Sequence, residues 1–323
     1  MTEPVVTDPR LELRAAKLRN ASRRHPGPPA DDQSAADDQP AVVHPPLTVG
    51  VHHDVPADRY HADRDTLSSS EARQLIPPSC PAKYRWTKDH GRPPTRTFDI
   101  GHAAHQMVLG AGEPLEVVNA RDWRTKAAQQ QQAEARAAGR TPLLAAEHER
   151  VLAMADALRS HPTAPALLQP GGRAEVTLVW TDQRTGVNCR ARLDYLPAPR
   201  AGGRLIVPDY KTTTDASLPA SSRSMATYGY HLQAAWYLDG CQQLGLGDDS
   251  AAFVFICQEK TPPYVVTVYQ PDPIAMRVGL EQALQARHVW QWCTSTGRWP
   301  AYTDEVAQLA LPRWAELEAG VHA

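Results

Sequence analysis

The sequence predicts a mixed α/β domain, with helices on both sides of a strand-rich centre. Two observations carry this expectation. Between 174 and 210 the chain runs in short, partly alternating apolar stretches broken by turn residues, Asp182-Gln183-Arg184-Thr185-Gly186 among them, which is the signature of strands. On either side of that region apolar residues recur at helical spacing. The chain has 323 residues, of which 42% are hydrophobic, enough for a packed core in one large domain or two.

Residues 1–48 differ from the rest. Asp31 to Pro40 is polar, alanine-rich and without apolar period, and Pro26, Pro28, Pro29, Pro45 and Pro46 punctuate the stretch. This composition predicts a disordered tail, with at most a transient helix over Leu11 to Leu18, and a folded domain over 49–323. Ser68-Ser69-Ser70-Glu71 has the form of a capping box that opens a short helix towards Ile76. A helix over Phe98 to Leu109 carries Ile100, Ala103, Ala104, Met107 and Val108 on one stripe. Two longer helices are expected near Arg121 to Ala138 and Ala145 to Ser160, flanking Gly139 and Pro142. Strands follow near 174–181, 187–195 and 204–210, then a helix from Met225 to Leu244 and strands near 251–258 and 264–269. The last helix runs from Asp272 to Cys293, with Pro271 and Pro273 at its start, where proline is tolerated. Trp290 and Trp292 near its end read as packing or as a subunit contact.

Several classes are disfavoured. There is no internal repeat and no phosphate-cradling glycine-rich loop, which argues against a nucleotide-driven motor. No run of about eighteen apolar residues is present, so no membrane-spanning helix is expected. Val5-Val6 is followed at once by Thr7-Asp8-Pro9-Arg10, which is no signal core, and a cytoplasmic location is the expectation. Cys80, Cys189, Cys241, Cys257 and Cys293 are scattered without a C-x-x-C, a pattern of reduced thiols and not of a zinc or iron–sulfur site. The net charge of −2 gives no overall steering towards phosphate. Positive charge is local, however: Arg73, Lys83, Arg85, Lys88, Arg92 and Arg96 cluster, with Tyr84 and Trp86 among them. That stretch reads either as a DNA-tracking surface with stacking aromatics, Lys83, Arg85, Lys88 and Arg92 being the candidates, or as a solvated basic face over two buried aromatics.

The chemistry centres on Asp209-Tyr210-Lys211, which ends the apolar run Leu205-Ile206-Val207-Pro208. Residues two apart on a strand share a face, so Asp209 and Lys211 project together, roughly 7 Å apart. Asp194 ends its own run from Val187, on the face of Arg190 and Arg192 and opposite Cys189 and Leu193. Two carboxylates and a lysine suit metal-dependent phosphodiester cleavage: acids hold hard cations, and lysine orients water or balances phosphate charge. A lone D-x-K is otherwise a surface ion pair. Gly101 and His105 share a helix face, offering an imidazole to a metal or forming a structural histidine near the core. Glu175 lies behind a metal or is a solvated strand-end charge. Gln233 and Tyr237 share a helix face, positioning a phosphate or the lysine, or simply packing. Pro208 cannot donate to a ladder, so this strand must lie at an edge, carry a bulge or stop pairing there.

Taken in order, G-x-x-x-H, a strand acid, D-Y-K and Q-x-x-x-Y resemble the PD-(D/E)XK nuclease superfamily, specifically its exonuclease VIII (RecE-like) and RecB-type branch. Tyr60-His61 through Leu67-Ser68-Ser69-Ser70, Pro78 to Tyr84, Asp209 to Thr213 and Gln258 to Tyr264 read like phage and prophage members. The resemblance covers about 50 to 300. It implies an αβββαβ core with a central mixed sheet flanked by helices. It implies His105, Asp194 and Asp209 as ligands of Mg²⁺ or Mn²⁺, with the Tyr210 carbonyl as a further one. Lys211 would be the catalytic lysine, and Gln233 and Tyr237 the phosphate-side pair. It further implies an exonuclease on double-stranded DNA ends in phage-type recombination, a single-strand annealing partner and a ring-shaped homo-oligomer. The sequence departs from the family where Arg190-Ala191-Arg192 precedes Leu193-Asp194, without the frequent glycine. A non-catalytic DNA-end-binding or recruitment module, or a nuclease on single-stranded or branched nucleic acid, is the alternative.

Overall fold

The computed structural model describes residues 45–91, 97–199 and 202–318. The tail expected over 1–48, apart from 45–48, lies outside them, as do the Leu11 to Leu18 helix and the cations Arg92 and Arg96. The chain begins with β1 (Gly50–His52), α1 (Ala57–Ala62), β2 (Leu67–Ser68), α2 (Ser69–Leu75), α3 (Pro81–His90) and α4 (Thr97–Leu109). It continues with β3 (Leu115–Val118), α5 (Lys126–Ala137), β4 (Thr141–Leu144), α6 (Ala145–Arg159) and α7 (Ala164–Leu167). The strand-rich centre is β5 (Arg173–Thr181), β6 (Asn188–Leu196) and β7 (Ile206–Thr213). Then come α8 (Leu218–Tyr228), α9 (Tyr230–Gln243), β8 (Ala252–Glu259), β9 (Val266–Tyr269), α10 (Pro273–Thr296) and α11 (Arg313–Glu318). The series α4-β5-β6-β7-α9-β8 is the expected αβββαβ order, with β3 to α7 inserted after its first helix.

The capping box of α2 forms as its sequence dictates: Ser68 accepts from the Glu71 amide and the Glu71 carboxylate accepts from the Ser68 amide. Two expectations are corrected. The helix foreseen from Met225 to Leu244 is two helices, because Gly229 takes the left-handed conformation, φ +68°, and breaks the chain's course between α8 and α9. The strand expected near 187–195 is β6, Asn188–Leu196, so Asp194 sits inside it. The helix foreseen from Arg121 starts at Lys126, where the Thr125 side chain caps it.

The strands form a split sheet. β1, β5, β6 and β2 make one part, with β5 and β6 an antiparallel hairpin and β2 parallel to the start of β6. β7, β8 and β9 make the other, β7 and β8 running parallel. β6 and β7 lie side by side but share no backbone ladder. Pro208 is therefore on an edge strand, as a residue without an N–H requires.

Helices cover both faces. Leu178, Trp180, Leu193, Val207, Phe253 and Phe255 pack with Leu232 and Trp236 of α9 and Ala283 of α10. On the opposite face Tyr210 and Ile256 pack with Ala103 and Ala104 of α4 and Met154 of α6. The apolar stripe expected on α4 is thus its buried face. Among the described residues all five cysteines are free and buried, and no helix is long and apolar enough to cross a membrane.

Buried charge holds the far end of the hairpin. Asp182 starts its turn and accepts from the Thr185 amide and hydroxyl at 3.0 and 2.7 Å. Arg287 of α10, 0% exposed, reaches both Asp182, at 3.4 Å, and Asp239 of α9, at 2.5 Å, and lies over the Trp236 ring at 4.3 Å. A fully buried guanidinium persists only when its charge is matched in this way.

The α9–α10 contact depends on Gly279, where a β-carbon would collide with the His231 carbonyl. Backbone cannot yield as a side-chain tip can, so Gly279→Ala is expected to cost about 1–3 kcal/mol. Urea unfolding of the two proteins measures it directly.

Candidate functional site

Asp209 and Lys211 leave β7 on the α9 side, with Val207, whereas Asp194 leaves β6 on the side opposite Leu193, towards α4. In a continuous sheet these groups would be separated by the strands. Because the sheet is split between β6 and β7, Asp194 and Lys211 meet in one cleft, with Asp209 buried beside Lys211. That cleft encloses about 570 Å³ and is lined by His105, Glu175, Asp194, Lys211, Gln233 and Tyr237 among others.

The side chains form two linked groups. His105 stands between two acids, its Nδ1 3.4 Å from Glu175 Oε1 and its Nε2 3.3 Å from Asp194 Oδ1. Lys211 Nζ lies 2.5 Å from Asp209 Oδ2, and the Gln233 amide donates to Asp209 Oδ1 at 2.6 Å. The link is Tyr210, whose amide donates to Asp194 Oδ2 at 2.8 Å. A strand residue points its N–H and C=O the same way, so the Tyr210 carbonyl faces the same gap.

The electrostatics follow from crowding. Burial disfavours charge on both acids, but His105, Lys211 and the Tyr210 amide hold Asp194 below the usual carboxylate range. Burial, then the Asp194 charge, push Asp209 up to about 6 in spite of Lys211. Burial opposes charge on Lys211, yet Asp209 and Asp194 overcome this and raise it, so the ammonium persists throughout the neutral range. His105 is likewise raised, burial being outweighed by Asp194 and Glu175. Burial raises Glu175, and burial lifts the Tyr237 phenol well above its ordinary value, so that it stays protonated.

Glu175 carries a feature of its own. It lies opposite Asp194, between the registered pairs Ala174↔Tyr195 and Val176↔Leu193, and its φ is +54°. Left-handed backbone inside a strand is strained for a non-glycine residue by about 1–3 kcal/mol. The distortion places its carboxylate between His105 and Arg192, the latter at 3.7 Å.

The residues fit a hard divalent cation. Three carboxylates and an imidazole are the donor types for Mg²⁺ or, with histidine present, Mn²⁺. Asp209 is 1% exposed, and its Oδ2, although close to Lys211, receives no aligned hydrogen bond, which leaves a buried anionic oxygen with coordinating capacity. Among the described residues no three His, Cys, Asp or Glu side chains are drawn into a ready cation cage. A cation must therefore compete with the Lys211 ammonium and with protons on His105 and Asp209.

The expected residues are placed as follows. His105, Glu175, Asp194, Asp209, Tyr210 and Lys211 converge. Gln233 joins them, but through the Asp209 carboxylate; Tyr237 lines the cleft and packs edge-on against Phe253. The basic stretch does not converge as a group. Lys88 pairs with Glu71 at 2.6 Å and is half-buried, while Arg85 pairs with Asp89 and Lys83 donates to the Tyr302 hydroxyl. Tyr84 is buried against Trp299, and Trp86 is exposed, stacked on His90. Sequence reasoning missed Arg192, Arg73 and the tyrosines at 228 and 230 as cleft residues.

The order α4-β5-β6-β7-α9-β8, with acids on β6 and β7 and a lysine two residues after the second acid, is the one that the resemblance to PD-(D/E)XK nucleases implied. Residues 68–312 match the family described as "PDDEXK-like domain of unknown function (DUF3799)", and the chain belongs to that family and, with it, to the PD-(D/E)XK superfamily. Among solved structures, the chain is similar in fold to a "putative exonuclease" from Eubacterium rectale, with a TM-score of 0.52 and 10% identity over 83% of this chain and 100% of that one. No protein of curated function matches it.

The strain at Glu175 is measurable without turnover. Glu175→Gly and Glu175→Ala remove the same carboxylate and differ in backbone freedom. The glycine variant is expected to be more stable by about 1 kcal/mol, read as the difference in their urea midpoints.

Proposed function

We propose that this protein is a divalent-metal-dependent deoxyribonuclease acting as an exonuclease on double-stranded ends. The observation that carries the reading is the convergence of His105, Glu175, Asp194 and Lys211 in one cleft at the split of the sheet, with Asp209 buried directly beside Lys211. The name of the Eubacterium rectale protein and the resemblance to the exonuclease VIII and RecB-type branch support exonucleolytic action.

When bound, Mg²⁺ or Mn²⁺ supplies Lewis-acid charge to the phosphodiester and acidifies a water. Asp194, Asp209, His105 and the Tyr210 carbonyl would hold it. Gln233 fixes the rotamer of Asp209, and Glu175 and Asp194 fix the plane of the His105 ring. Lys211 presents a permanent positive charge towards the cleft, steadied by the face of Tyr230 at 5.5 Å. A fixed cation there stabilises charge that develops on the phosphate oxygens and orients the attacking water. By the same resemblance, the biological role is resection of phage or prophage DNA in recombination, with a single-strand annealing partner and a ring-shaped oligomer.

The test is incubation with linear duplex and with covalently closed circular DNA, in Mg²⁺, Mn²⁺ or EDTA. Loss of the linear form alone, abolished by EDTA and lowered roughly a hundredfold to a thousandfold by Asp209→Ala, is expected. Cutting of the circle would make it an endonuclease, and full activity of Asp209→Ala would sink the site assignment.

Proton competition gives a second expectation. Asp209 and His105 both have raised affinity for protons, and the protonated forms do not ligate. Mn²⁺ affinity should therefore fall as pH drops through about 6. More protons should be released per ion at pH 5.5 than at pH 8, as calorimetry in buffers of different ionisation enthalpy would show.

A further inference from the structure

The cleft has an aromatic wall that the hydrolytic groups do not explain. Tyr269, Phe255, Tyr230 and Tyr228 form a ladder of rings, with successive centroids 5.4, 5.4 and 5.7 Å apart and interplanar angles of 30°, 31° and 34°. It passes through the core at Phe255, which is fully buried, and ends at Tyr228, which keeps 54% of its surface exposed. Tyr228 and Tyr230 both line the cleft, and Tyr230 is the ring beneath Lys211.

The end of the ladder is fixed in place. Tyr228 closes α8 and Tyr230 opens α9, with only Gly229 between them. The Arg73 guanidinium donates to the Tyr228 carbonyl, and a β-carbon at Gly229 would come 2.8 Å from Arg73 Cδ. The helix break is thus packed against α2, and the exposed ring stands on a corner that Arg73 contacts. A large aromatic held at a cleft mouth, with its edge tilted off a stacked series, offers an apolar face of nucleobase size.

We propose that Tyr228 is a stacking subsite for the nucleobase adjoining the cleaved phosphate, extending the ladder by one ring. The proposal rests on the nuclease reading and adds to it the recognition of an unpaired terminal base. Stacking accepts every base, because each has a π-face, and so suits an enzyme that must pass along any sequence. It also requires the base to leave its partner, so the site favours frayed or single-stranded termini over paired ones.

The test uses the full chain, in EDTA, with a duplex that carries an unpaired 2-aminopurine as its terminal nucleotide. Its fluorescence should be quenched on binding to the wild-type protein and to Tyr228→Phe, and not on binding to Tyr228→Ala. With Mg²⁺ or Mn²⁺, Tyr228→Ala should raise KM for the same DNA by roughly tenfold to a hundredfold, with kcat changed much less, and Tyr228→Phe should restore KM. Equal quenching and equal KM in all three proteins, or no quenching by the wild type, overturns the stacking subsite. Absence of cleavage by the wild type with quenching intact would instead count against the nuclease reading, since quenching needs no turnover. An unchanged melting temperature for Tyr228→Ala shows that the effect is not unfolding.

Discussion

Asp194 Oδ2 accepts the Tyr210 amide across two neighbouring strands that have no ladder between them. One carboxylate oxygen thus does what a row of backbone hydrogen bonds would do elsewhere, while the other faces His105. The rest of the site follows from this single bridge. Without a split, Asp194 and Lys211 would lie on opposite faces of a closed sheet; with a wider one, the acids would be too far apart to act together. The bridge also lowers the cost of keeping Asp194 ionised, because a charged acceptor bonded to a backbone donor is favoured over its protonated form.

The charge distribution around the bridge is uneven, and usefully so. Asp194 takes the negative charge and Asp209 the elevated proton affinity, as two close acids in a low-dielectric site must. Lys211 cannot relax this by losing its proton, since both acids hold it protonated. Among the two acids and the lysine, the arrangement therefore carries a fixed cation, a fixed anion and one group whose state follows the solution. Gln233 donates to Asp209, and Glu175 lies against the His105 ring.

Much of this was legible in the sequence. Parity placed Asp209 with Lys211, and Asp194 with Arg190 and Arg192. The turn at Asp182 to Gly186 announced the hairpin, and counting outward from it reaches Glu175 opposite Asp194, since the register pairs Thr181 with Asn188 and Val176 with Leu193. That count would have joined Glu175 to the site more firmly than its place at a strand start did. Other features were not readable. Alternation says which side a residue leaves, not that the sheet parts between β6 and β7 and lets two sides meet. The glycine at 229 sat within an apparent helix, and only its packing against Arg73 makes it a corner. The basic stretch looked uniform in sequence, but Glu71 lies far enough along the chain to claim Lys88 unseen.

The buried anchor at Asp182 has a consequence for how the chain tolerates change. Hairpin tips are ordinarily where proteins accept tags, insertions and altered loop lengths. Here Asp182, the first residue of the turn, is bolted to two helices through Arg287, so residues added on the β5 side of it cannot be absorbed by the tip. They would be passed down the strands instead, and a shift of one position turns every side chain to the other face. A ruler read at its far end must be fixed at zero, and the zero mark of this hairpin lies at its turn, at the opposite end from Glu175 and Asp194.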